Sequence, residues 1–570
     1  MSIQVESIPA PIQLSGGLLG PLPVLMHYLR EMQIRDLIDG AVPPDGRHLL
    51  THGECIEALL CSIFVRDHTL SHVSETLSTY DLPVLFGRPD IQASYFHDTR
   101  LGAALDALYG KTERLYAEIV FRALKAFQLA VKRLHLDSTT ISLFGSYDSP
   151  RQLLPSLIPT PPRPEYGKSK DHRDDLKQLL FSLTVGDFGG PIYGRTTDGN
   201  TSDDVEFRHH LDVLSEMMEE LRTSLLVADS KLCNGPTLAQ AFDLEFNLVT
   251  LVPDTWSVKK LIIAKASGED LPFLMETEEK EVYHGKSYKI PYTLEIPGKP
   301  DRIVELRFLA LHSSQLEKQR REATAREARK ERQHLEKFIR RQRTTSYACL
   351  PDAEQAGDKL FSGISAKHHR LEFKVEKMRQ EKKKRGPKKA GATPEVVIRY
   401  RLQCTIREVI KENPRFAPEG MFVLLTTIPD RRCLPDLSVL TTYKGQEVVE
   451  RGFHWMKGPL RVTPVWLEKT TRIDVLGFVY LIAMFVYALI QREVRKVLAA
   501  QGATLPTPAG PRTNKPTAWG LFFLLDKLTV FRLHRGSSIQ VLPKNFNKVQ
   551  LEILNRCGWM ELYIPRGDFP

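Results

Sequence analysis

The chain has 570 residues, of which 42% are hydrophobic and 26% charged, and it carries a formal net charge of +10 at pH 7. That length exceeds one ordinary core and the balance is that of a folded globular protein, so roughly two to four domains are expected and a disordered or fibrous chain is excluded. The basic balance suits a polyanionic partner, while seven cysteines with neither CxxC spacing nor a dense framework exclude a zinc finger and a disulfide scaffold and fit a reducing cytoplasm.

The opening stretch MSIQVESIPAPIQLSGG has no basic n-region and no apolar h-region, and so reads as no secretory signal. Residues 1–128 carry helical periodicity in ECIEALLCSIF and LGAALDALYGKTERLYAEIVFRALKAF, punctuated by turn-rich PPDGRH and YDLPVLFGRPD. A separate helical N-terminal domain is expected, either a helix-turn-helix reader of DNA or a structural helical cap.

From Arg133 the pattern changes to strands, over 129–253: RLHLDSTTISLFG, then LKQLLFSLTVGDFGGPIYGRTT with a hairpin turn at Gly189 and Gly190. A helix follows, capped by Thr201 or Ser202 and started by Asp203 and Asp204, with Phe207, Leu211, Leu214, Met218 and Leu221 as its apolar stripe. Short apolar runs before Asp229 and before Pro253 complete a strand, strand, strand, helix, strand, strand order, an α/β pattern with a mixed sheet.

Residues 254–417 break that pattern with a hairpin-like stretch and two charge-dense runs, SQLEKQRREATAREARKERQHLEKFIRRQR and FKVEKMRQEKKKRGPKKAG. Such runs are solvated helices or linkers, with direct phosphate contact the alternative. A coiled-coil scaffold is excluded, because Leu316, Leu335, Phe338 and Ile339 are too few and too far apart for a heptad seam. Residues 418–500 return to MFVLLTTIPD and helices, and 501–570 form a C-terminal segment. The apolar run Val475–Ile490, flanked by Asp474 and Arg492, is short for a membrane span and is expected as a buried core helix, with no membrane partner.

Three carboxylates invite a chemical reading. Asp137 lies within a strand and Asp229 ends a buried one, where a carboxylate is costly unless paired or bound to a ligand. Tyr443, Gln446, Glu450, His454 and Lys457 fall at offsets of 0, 3, 7, 11 and 14, one face of a single helix beside an apolar stripe of Val449, Phe453 and Met456. A solvated polar face has the same spacing.

Taken together these segments resemble the insertion-sequence DDE transposases that carry a tyrosine, arginine, glutamate, lysine signature around the last carboxylate. Tyr443, Glu450 and Lys457 match it in spacing, and Gln446 stands at the arginine position. LHLDSTTISLFG, GKSKDHRDDLKQLLFSLTV, YGRTTDGNTSD, LVADSKLCN and YKGQEVVERGFHWMKGPLRV resemble blocks of that group in their order, over roughly residues 130–500. The resemblance implies a ribonuclease H-like catalytic core, with 254–417 as an insertion domain between the second and third carboxylates. It implies that Asp137, Asp229 and Glu450 are catalytic and hold Mg2+, with Mn2+ able to substitute, and that Tyr443 and Lys457 assist. DNA contact would fall to Gln446, Lys457 and Trp256, the last by stacking on a flipped base. Asn200 and Asp203 either face the site or cap their helix. The implied partners are double-stranded DNA at the transposon-end inverted repeats and the target, with a dimer on DNA, in the cytoplasm at the nucleoid. The alternative is a catalytically inactive transposase-derived DNA-binding protein or repressor.

Overall fold

The computed structural model describes residues 12–65, 69–147, 159–217, 221, 223–294, 300–364, 366–381, 396–409, 416–457, 467–535, 538–544 and 546–564. The chain divides into two compact units, one of residues 1–253, 290–307 and 425–570, the other of 254–289 and 308–424.

The first unit is built on strands β1 (Arg133–Ser142), β2 (Gln178–Gly186), β3 (Pro191–Asp198), β4 (Leu225–Ala228) and β5 (Asn247–Leu251), with the helix Asp203–Met217 between β3 and β4. They lie side by side in the order β3-β2-β1-β4-β5. Pairing is antiparallel for β1 with β2 and β2 with β3, and parallel for β1 with β4 and β4 with β5. Gly189, at φ +89°, makes the β2–β3 turn that a side chain would strain. The parallel step from β4 to β5 uses the helix Gly235–Asp243 as its crossover, opened by the Asn234 side chain accepting from Thr237 N–H at 3.0 Å.

Alternation in β1 predicts one buried and one open face, but only Arg133 and Asp137 escape burial in it, and all of β2 is buried. Helices explain this: Glu447–Lys457 packs on β1 and β2, Asp436–Lys444 on β4 and β5, and Thr470–Gln501 on β3. Asp137 is therefore a carboxylate set in a central strand.

The helix Thr470–Gln501 contains the run Val475–Ile490 and is, among the described residues, long and apolar enough to cross a membrane, yet 89% of its apolar window is buried inside the protein. Around it pack the helices Leu22–Glu31, His52–Phe64, Asp98–Leu108 and Thr112–Ala126. Arg472 pairs with Asp106 at 2.6 Å. The strand Ile12–Leu18 pairs antiparallel with Thr529–Arg535, which pairs in turn with Ser538–Lys544. The change near residue 128 is thus from helices to strands, and the helical module before it falls in the same compact unit as the strands after it. Its apolar stripes are used up against the long helix and the C-terminal segment. His52–Phe64, started by the Thr51/Glu54 capping box, is buried at every position but Phe64 and has no free face to lay in a DNA groove.

Asp474 sits on the long helix and lines one cavity with Glu113, Tyr193 and Arg195. Burial pushes its carboxyl up to about 7 against the pull of Arg195. An unfolded carboxyl ionises near 3.9, so between that value and 7 the unfolded chain releases its proton first. The stability from this group is full below the unfolded value and is lost as pH rises through the window. Asp474→Asn is therefore expected to stabilise the protein at pH 8 by roughly 3 kcal/mol, and by half of that or less at pH 5. Urea titrations at both pH values check it, and an equal gain at the two would contradict it.

The second unit holds the helix Ser257–Ser267 and the strand Phe273–Glu276, antiparallel to Val282–Leu294. The first charge-dense run is the 29-residue helix Ser314–Gln342, in which only Leu335 and Ile339 are buried. The second run begins as a strand, His369–Glu381, paired over its length with Val396–Glu408, where solvated helix or linker was expected. Leu371, Phe373 and Val375 alternate with Glu372, Lys374 and Glu376, and Phe373 stacks on Phe361 at 5.1 Å, so the apolar face has something to pack on. The rest of that run, from Lys382, lies outside the described residues.

Candidate active site

The parallel register pairs Leu136 with Ala228, so the next residues, Asp137 and Asp229, stand side by side. Neither carboxylate is loose. Asp137 accepts from Ser138 N–H at 2.7 Å and Asp229 from Lys231 N–H at 2.9 Å, while the Asp229 carbonyl accepts from Thr250 Oγ1 at 2.6 Å. Burial raises the Asp229 carboxyl above the usual range, and the neighbouring charge of Asp137 raises it further, against the Lys231 N–H and Lys170.

Cations gather here. Lys170 Nζ lies 3.6 Å from Asp137 Oδ1 and donates to Ser138 Oγ at 2.8 Å and to the Ser138 carbonyl. Lys231 pairs with Asp203, which also accepts from Ser138 Oγ. Burial lowers the Lys231 ammonium, with Lys170 and Lys168 acting the same way and Asp137 opposing them. Of the two residues at the start of the helix Asp203–Met217, Asp203 is thus tied to β1 beside the carboxylates, whereas Asn200 is exposed. Sequence reasoning did not single out Ser138, Lys170 or Lys231. The available signal was position: Lys231 and Ser138 lie within two residues of the aspartates.

The segment carrying Glu450 is two helices, Asp436–Lys444 and Glu447–Lys457, and not the single one that the spacing predicts. The break falls at Gly445 and Gln446, where Gly445 keeps helical angles (φ −61°, ψ −12°) and its N–H is shared between the Thr441 and Thr442 carbonyls, both at 3.1 Å. Gly445 sits in close quarters: a Cβ there would lie 3.0 Å from the Thr442 carbonyl and 3.3 Å from His135 Cε1, a buried imidazole of β1 that burial pushes down to about 4. The kink lets the second helix settle on β1 and β2.

Tyr443 lies half-buried just ahead of the kink. Its phenol is pushed up to about 12, first by burial and then by the charges of Asp229 and Glu450. Glu450 and His454 are exposed, Val449 and Phe453 are buried, and the side chain of Met456 lies outside the described residues. Gln446 is half-buried in the kink, its N–H donating to the Tyr443 carbonyl at 3.0 Å. Lys457 is held by Asp171, Nζ to Oδ1 at 2.6 Å. Trp256 precedes the helix Ser257–Ser267 in the second unit and is half-buried.

Among the described residues no three His, Cys, Asp or Glu side chains close into one metal-holding group. Asp137 and Asp229 nevertheless offer adjacent hard oxygen donors, with mutual repulsion that a cation between them would relieve, which is the donor chemistry that Mg2+ takes. Glu450 is exposed on the helix Glu447–Lys457, and its charge, like that of Asp229, reaches Tyr443.

No curated protein matches the chain. Residues 18–121 are similar to a family described as a domain of unknown function, DUF4277, a match that covers the N-terminal helices and ends before Asp137.

Proposed function

We propose that this chain is a DNA transposase of the DDE type with a ribonuclease H-like catalytic core, excising and integrating an insertion sequence. The observation that carries the reading is the β1–β4 register, which seats Asp137 beside Asp229, with the charges of Asp229 and Glu450 both reaching Tyr443. The strand order β3-β2-β1-β4-β5 supports it at the level of fold.

Asp137, Asp229 and Glu450 are the residues that would hold Mg2+, or Mn2+, whose preference for oxygen ligands is the same. When bound, such ions supply an activated water and a stabilised leaving 3′ oxygen. The chain's own part is positioning and charge. The backbone N–H groups of Ser138 and Lys231 fix the two aspartates, and Lys170 offsets the charge of Asp137. Tyr443 keeps its proton at neutral pH and can donate its hydroxyl to a phosphate oxygen. Water attacks the phosphorus at the transposon end and the 3′ oxygen leaves. The freed 3′ hydroxyl then attacks a target-strand phosphorus, again expelling a 3′ oxygen. The partners are the double-stranded inverted repeats and target DNA, gripped through a basic surface as a dimer on DNA, in the cytoplasm at the nucleoid.

The test is incubation of the purified full chain with a labelled duplex bearing the end of its own element, with Mg2+ and separately with Mn2+. Cleavage at the end and joining to a target duplex are expected. Tight, salt-sensitive binding without cleavage in either metal would overturn the reading in favour of an inactive DNA-binding protein or repressor.

A further inference from the structure

The loop that supplies Lys170 also links the strand of the first carboxylate to the helix of the third. It runs through Ser169, Lys170 and Asp171 ahead of β2. Lys170 is fastened to β1 three ways: its N–H donates to Thr140 Oγ1 at 3.0 Å, and its ammonium reaches Ser138 Oγ at 2.8 Å and the Ser138 carbonyl. Ser169 is buried, its N–H donating to Asp174 Oδ1 at 3.0 Å and its Oγ accepting from Asp171 N–H at 3.2 Å. His172, at φ +57°, takes the left-handed turn that sends the chain back. Asp171 is thus the free arm of a loop anchored to the strand of Asp137. What it holds is Lys457, the last residue of the helix that bears Glu450, in a pair with side chains 34% and 24% exposed.

We propose that Lys170 and Asp171 form a clip between β1 and the helix Glu447–Lys457, making Asp171 a positioning residue for that helix and for the Glu450 it carries. Consecutive residues do the two jobs. Lys170 binds the strand of the first carboxylate, and Asp171 binds the end of the helix that carries the third. The helix is otherwise held by its packing on β1 and β2, with Val449 buried near its start, and the clip fixes its other end. Glu450 lies between the two tethers, and a helix held at both ends cannot swing its middle away from the sheet. This assignment rests on the transposase reading for its catalytic consequence, but not for the clip itself.

Hydrogen–deuterium exchange on the full chain tests the clip without any cleavage. Asp171→Asn is expected to speed exchange in peptides covering 447–457 by about two- to fivefold, the range open to a half-exposed ion pair, and to leave 476–490 of the long helix unchanged. Asp171→Glu, which keeps the charge, should leave both unchanged. The charge swap Asp171→Lys with Lys457→Asp should restore protection lost in Asp171→Lys alone. In single-turnover cleavage at saturating end DNA, Asp171→Asn should lose about tenfold in rate with end binding unaltered, as expected of a misplaced catalytic group. Unchanged exchange in 447–457 overturns the clip whatever cleavage does. Tighter end binding with unchanged cleavage would make Asp171 a counter-ion that DNA displaces, and would overturn the positioning role. A wild-type chain that cleaves no end in either metal defeats the transposase reading alone, and the exchange result still decides the clip.

Discussion

If the chain is the transposase proposed above, Asp137→Asn, Asp229→Asn and Glu450→Gln are each expected to remove Mg2+-dependent end cleavage, by at least about 10³-fold, or roughly 4 kcal/mol of transition-state stabilisation. The size follows from what the side chains supply. In-line displacement at phosphorus gives the protein little covalent work, so the catalytic gain rests on placing cations and charge. An amide keeps the shape of the carboxylate and drops the charge, so the fold should survive the change. Burial first, and then the charge of Asp137 beside it, raise the Asp229 carboxyl, so the two carboxylates also repel one another. Each Asn variant relieves that repulsion, so both are expected to bind end DNA as well as the wild type or slightly better, while failing to cut it. Single-turnover cleavage and a binding titration on the same duplex separate the two effects. Near wild-type cutting by any one of the three variants would remove that residue from the site.

The second large effect is on the core. Phe485 is fully buried on the long helix and meets Phe188 edge-on, with ring centroids 5.3 Å apart at 71°. Phe485→Ala loses that contact and leaves a ring-sized cavity between rigid elements, so a loss of about 3–5 kcal/mol in unfolding free energy is expected. Phe485→Leu refills most of the space and should cost less than half as much. Urea unfolding followed by tryptophan fluorescence measures both. A loss below about 1 kcal/mol for the Ala variant would mean that the long helix does not organise this unit.

Much of the first unit was readable because its signals are local. The strand, strand, strand, helix, strand, strand order came from apolar runs and from the turn at Gly189, and the buried reading of Val475–Ile490 came from its length. The site was readable only in part. Asp137, Asp229 and the Tyr443–Lys457 segment stand out by position, but spacing counted on an ideal helix does not register a break at Gly445 and Gln446, where the chain passes close to His135. Lys170, Lys231 and Asp203 meet around Ser138 through the β1–β4 register and a loop anchored on β1, which no window of sequence contains. In His369–Glu381 the opposite happened: the alternation was present in the residues, and the density of charge outweighed it.

The N-terminal strand Ile12–Leu18 is paired with Thr529–Arg535, and Tyr563 donates its hydroxyl to the Gly20 carbonyl across 543 residues of sequence. A contact of that span is among the last the chain can make. Ribosomes add about 5–20 residues each second, so Ile12–Leu18 waits roughly half a minute to two minutes for its partner to be synthesised. During that time an unpaired strand edge is exposed to other nascent chains, and Gly16 and Gly17 within it weaken any pairing made elsewhere. Closing the seam then carries the entropy of joining distant points, a term that grows only with the logarithm of their separation. The closing of this seam in the first unit is therefore timed by translation.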